Sequence, residues 1–230
     1  MAKKNKQGAQ IESGLQNIEG SLTKTEHFLE KYKKQLSIAS LIIIGIVAVI
    51  FAYKKFYLEP MKVEAQEQIF VAQQYFERDS FNLALNGDGD YPGFLQIIDD
   101  YGSTEVGNLA NYYAGVSYYK LGEFENAIDY LSDFSTDDKL ISSVAKGCMG
   151  DAYTELNNFE KAAEYYKKAA DETENKLTAP IYLMKLGRVY EETKKWKEAL
   201  EVYETIKRDY KTTQEGRVID KFITRVKFNM

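Results

Sequence analysis

Residues 36–53 read Leu-Ser-Ile-Ala-Ser-Leu-Ile-Ile-Ile-Gly-Ile-Val-Ala-Val-Ile-Phe-Ala-Tyr, a run without one charged side chain. As a helix this run is ~27 Å long at ~1.5 Å per residue, close to the ~30 Å hydrocarbon core of a bilayer. Lys31, Lys33 and Lys34 stand before it and Lys54 and Lys55 after it. Their long stems can snorkel to the headgroups, and Tyr32, Tyr53, Phe56 and Tyr57 suit the interfacial belts. The pattern predicts a transmembrane helix over 36–53. A cleaved signal peptide fits it poorly. The leader is too long, the apolar run exceeds the usual ~7–15 residues, and no small-residue cleavage site follows.

Over 1–35 and into the first residue of the span, Ile11, Ile18, Thr25 and Tyr32 recur every seventh residue, as do Leu15, Leu22, Leu29 and Leu36. That is a heptad stripe. It makes either a coiled coil, giving a homodimer or gripping a partner helix, or a monomeric amphipathic helix on the inner leaflet. Gly14 and Gly20 each cost roughly 1 kcal/mol of helix propensity, and Thr25 weakens the seam.

Beyond the span the period is helical. Residues 54–107 are expected to hold a linker helix, over 63–77, and a degenerate first repeat. Its pattern is broken across 79–93 by Gly-Asp-Gly-Asp and Pro92 and resumes in a short helix over 94–101. From there a frame repeats. Gly115, Gly150 and Gly187 are each followed three residues on by Tyr118, Tyr153 or Tyr190, and nine on by Phe124, Phe159 or Trp196. Twelve on stand Ala127, Ala162 and Ala199, and sixteen on Leu131, Tyr166 and Tyr203. The glycine lets two helices approach, the tyrosine fills the gap one turn later, and the alanine is the matching small residue. The aromatics open the second helix after a short polar turn. This pattern resembles the tetratricopeptide repeat. The matching stretches are 108–141, 143–176 and 180–213, three repeats over 108–213. Phe134 and Ile206 depart from the family's usual alanine. Residues 214–230 are expected to form a capping helix over the last apolar face. The fold class is therefore all-α: a membrane helix, then an α-solenoid of three to four repeats with a C-terminal cap.

Charge sharpens the layout. Residues 1–53 carry seven lysines and four glutamates, while 54–230 carry 23 basic and 31 acidic side chains. An acidic large domain argues against nucleic acid as a ligand. Lys3, Lys4, Lys6, Lys24, Lys31, Lys33 and Lys34 precede the span against Lys54, Lys55 and Lys62 after it, so the positive-inside tendency places the N-terminus in the cytoplasm.

Catalytic chemistry has little to work with. His27 and Cys148 are single, and no phosphate loop, nucleophile elbow or metalloprotease motif is present. Residues 86–90 alternate carboxylates as a calcium loop does. The loop's sixth position holds Tyr91 and its twelfth Ile97, which leaves a turn. No enzyme activity, cofactor or metal is expected.

The resemblance implies a concave protein-binding face drawn mainly from each first helix. It would present Tyr112, Val116, Tyr119 and Lys120, then Asp151, Thr154 and Glu155, then Met184, Arg188, Glu191 and Glu192. The complete layout is similar to that of the ancillary subunit of the Sec translocon in Gram-negative inner membranes. That resemblance implies a periplasmic repeat domain which helps hand emerging, unfolded polypeptides to chaperones. The partners implied are translocon subunits and a periplasmic chaperone or prolyl isomerase. Two other readings fit the same layout: a self-associating scaffold of an envelope assembly complex, and a cytosol-facing receptor for targeting signals.

Overall fold

The computed structural model describes residues 31–172 and 176–230; the heptad stripe before residue 31 lies outside them. Chain contacts divide the protein into two units, 1–59 and 60–230.

In the first unit α1 covers residues 31–53, and its side chains are exposed throughout the apolar run. One helix long and apolar enough to cross a membrane is present here. Tyr53 and Tyr57 stack at 5.2 Å. A π-helical turn, Lys54–Leu58, follows α1. Pro60 supplies the local cause: it has no N–H to offer the carbonyl four residues back, so the ladder widens.

The second unit is all helix among the described residues: α2 (Glu59–Glu77), α3 (Phe81–Asn86), α4 (Phe94–Tyr101), α5 (Glu105–Leu121), α6 (Phe124–Asp133), α7 (Lys139–Glu155), α8 (Phe159–Glu172), α9 (Ala179–Glu192), α10 (Trp196–Asp209) and α11 (Gln214–Asn229). From α4 onward each helix packs chiefly on its chain neighbours, the one-dimensional order of a solenoid. Four core clusters succeed one another from α2 to α11.

The glycine frame explains the pairing. A Cβ on Gly115 would lie 2.6 Å from Leu131 Cγ, and one on Gly150 2.6 Å from the Tyr166 ring; at Gly187 the Tyr203 ring is nearer still. Leu131, Tyr166 and Tyr203 are buried there, and Ala127, Ala162 and Ala199 are fully enclosed. Beside this contact Tyr118 stacks on Tyr130 and Tyr153 on Tyr165, at 5.2 and 5.3 Å. The third pair substitutes Val202 beside Tyr190.

The turns repeat as closely. Gly122, Asn157 and Lys194 all have left-handed φ, two residues before the opening aromatic. In each turn an N–H donates to the column tyrosine's carbonyl: Glu123 to Tyr118, Asn158 to Tyr153, Lys195 to Tyr190. Asp79 (φ 55) and the bond from Ser80 N–H to Tyr75 O reproduce the same turn before Phe81.

That turn corrects the expected break over 79–93. Ala72, Tyr75, Phe81 and Ala84 fall at the spacing of the frame's first four columns, and α3 begins at Phe81, inside the expected break. Past the turn at 78–80, the stretch that leaves the helix is 87–93. Gly87 and Gly93 meet at its neck, where a Cβ on Gly93 would strike the Leu85 carbonyl and Gly87 N. The leading helix also starts earlier than expected, at Glu59.

Phe134 ends α6 early. It is extended (φ −79, ψ 133) and packs on Tyr112 at 5.3 Å, leaving α6 with 10 residues against 14 in α8 and α10. Asn108 clamps the exit, donating to Ser135 O at 2.7 Å and accepting from Ser135 N at 3.0 Å. Ile206, the other departure, is fully buried.

Two substitutions test this account, read by the fluorescence of the single Trp196 during urea unfolding. Gly187→Ala drives a methyl into Tyr203 and is expected to cost about 1–3 kcal/mol. Lys194→Gly relieves a left-handed non-glycine residue and is expected to add about 1 kcal/mol.

Candidate protein-binding groove

The first helices α7 and α9 supply the charged lining of one groove. Asp151, Thr154, Glu155, Arg188 and Glu192, all expected on the concave face, line that open groove of about 630 Å³ together with Phe159, Tyr166 and Lys185. The floor is neutralised. Lys185 Nζ lies 2.6 and 2.7 Å from the two Asp151 oxygens, and Tyr166 OH donates to Asp151 Oδ1 at 2.6 Å. Thr154 Oγ1 is 3.1 Å from the same phenol. Burial first, then the Asp151 charge, raises the Tyr166 pKa.

The next step along the array reuses the arrangement. Tyr203 OH donates to Glu191 at 2.6 Å, and Arg225 grips both Glu191 oxygens at 2.7 Å. Lys185–Asp151 and Arg225–Glu191 each join residues 34 apart, so both bind one repeat to the next. Glu155, Arg188 and Glu192 are exposed and take part in no ion pair among the described residues. The groove thus combines a satisfied floor with charged rims.

The remaining expected residues fall elsewhere. Tyr112, Val116 and Tyr119 are half-buried against the core shared by α6 and α7. Burial holds the Tyr119 phenol at about 12, with Asp151 and Glu155 adding to it. Lys120 is exposed. Met184 does not reach the surface. It is 7% exposed and packed with Tyr203 and Phe222, because the cap α11 closes over that part of α9. Lys185 was missed: it occupies the column of Tyr113 and Cys148, and its charge in that apolar column was the available signal. Tyr166 was read as packing alone, whereas its hydroxyl also reaches the groove.

Other candidate chemistry resolves into structure. Asp88 accepts from the N–H groups of Asp90 and Tyr91 and from Tyr75 OH at 2.6 Å, which lowers its pKa and fixes the turn. No group of three or more His, Cys, Asp or Glu side chains suited to a metal ion occurs among the described residues.

Paired helices in a constant frame define a helical-repeat solenoid. Two family models described as tetratricopeptide repeat match residues 109–137 and 149–212. No curated protein matches the chain. Among solved structures it is similar to Podosopora anserina kinesin light chain TPR-like repeats, in two forms of which one carries a substitution. Each is 13% identical with a TM-score of 0.54, over 72% of this chain and 86% of that one. At that identity the likeness shows the fold.

Burial pushes the Cys148 thiol up to about 12. Alkylation of the native protein at pH 8 is expected to run on the order of a hundredfold slower than that of a free thiol. Mass spectrometry should show it becoming fast in denaturant.

Proposed function

We propose that this chain is a non-catalytic, membrane-anchored adaptor whose repeat domain lies in the periplasm and receives polypeptides beside the Sec translocon. The observation that carries the reading is the groove whose rim charges Glu155, Arg188 and Glu192 form no ion pair among the described residues, which also hold one membrane-length helix. A satisfied floor gives shape, and unsatisfied rims give a ligand something to neutralise. The lysine excess before the span supports a cytoplasmic N-terminus. Channel subunits and a periplasmic chaperone or prolyl isomerase are the partners this reading names.

A photo-crosslinking residue at Glu192, in the full-length protein in native membranes, tests it. Adducts with channel subunits, a chaperone or translocating chains are expected. The double change Glu155→Lys, Glu192→Lys should lower their yield about tenfold, or ~1.4 kcal/mol. Adducts with its own copies alone would replace the adaptor by the self-associating scaffold. Protection of the repeat domain from protease added to intact spheroplasts would replace it by the cytosol-facing receptor.

A further inference from the structure

A repeat array leaves two faces that no neighbouring repeat covers, and solubility normally demands that both be polar. Here neither is. Opposite its buried Ile219, Phe222, Ile223 and Val226, the cap α11 turns outward Arg217, Lys221 and Phe228, and Phe228 is 90% exposed. Opposite its buried Ala65, Ile69 and Ala72, α2 turns outward Val63, Glu67, Phe70 and Glu77, with Val63 and Phe70 at 58% and 59% exposure. Each end therefore sets a bare aromatic beside two like charges, Glu67 and Glu77 on α2, Arg217 and Lys221 on α11.

The signs are opposite, and they follow a gradient along the whole domain. Residues 59–138 carry three basic and sixteen acidic side chains, whereas 139–230 carry eighteen basic and fifteen acidic. Glu67, Glu77, Arg217 and Lys221 take part in no ion pair among the described residues.

We infer that the two ends of the solenoid are complementary docking faces, and that the occupant of each is the other end of a second copy of this chain. Helix α2 of one copy packs on α11 of the next, burying Phe70 and Phe228 between rows of glutamate and of arginine and lysine. Such a contact is heterologous. It does not close at two copies and builds rings or open rows. The proposal goes beyond the adaptor reading and leaves the groove free for other ligands.

Sedimentation of the full-length protein in mild detergent, over a range of concentrations and salt, tests it. Species larger than the high-salt mass are expected to grow with concentration at low salt, since exposed charge pairs are screened as salt rises. The change Glu67→Lys with Glu77→Lys should abolish them, as should Arg217→Glu with Lys221→Glu. Mixing the two charge-reversed proteins should restore them. All four side chains are exposed, so circular dichroism should report unchanged helix content. Phe228→Ser should weaken assembly without altering charge. A single mass at every concentration would overturn the proposal. So would assembly indifferent to both reversals, or a mixture that stays dispersed.

Discussion

Everything in the repeat domain depends on one contact: a glycine on each first helix lies directly under a large side chain from the second. At Gly115, Gly150 and Gly187 there is no room for a methyl, because Leu131, Tyr166 and Tyr203 already fill it. The contact brings the two backbones together and so sets where the column alanines and stacked tyrosines can sit. In a solenoid each pair is the platform for the next, so a widened pair misplaces its neighbours as well. The groove on α7 and α9 exists because two such pairs repeat with nearly the same step.

The turns show how the sequence enforces that step. A left-handed residue two places before each aromatic reverses the chain, and the column tyrosine supplies the carbonyl that closes the turn. Glycine fits there best, yet the chain uses Asn157, Lys194 and Asp79 as well. The surrounding hydrogen bonds and helix packing over-determine the conformation.

The frame, the opening aromatics and the capping helix were legible because each follows from spacing alone. Helix α3 was not, since Ala72 stands where the frame has glycine and the loop after Asn86 displaces the last column. Groove membership was legible only in part. Glu155, Arg188 and Glu192 project from first helices as their columns require. Met184 shares such a column but is covered by α11, and whether a neighbour covers a position is decided in three dimensions. Asp151 and Glu191 show the same limit. Their partners, Lys185 and Arg225, stand one repeat downstream, and only the folded curve brings them within reach.

The excursion at 87–93 is pinched where it leaves and re-enters the helix, with Gly87 and Gly93 in backbone contact at its base. Helix α4 therefore takes up the packing that α3 leaves, as Leu85, Phe94 and Ile97 in one core cluster attest. The superhelix does not register how many residues lie beyond that neck. The phase of the helices on either side is thus held by two glycines at the base, and the residues at the loop's tip stand outside it.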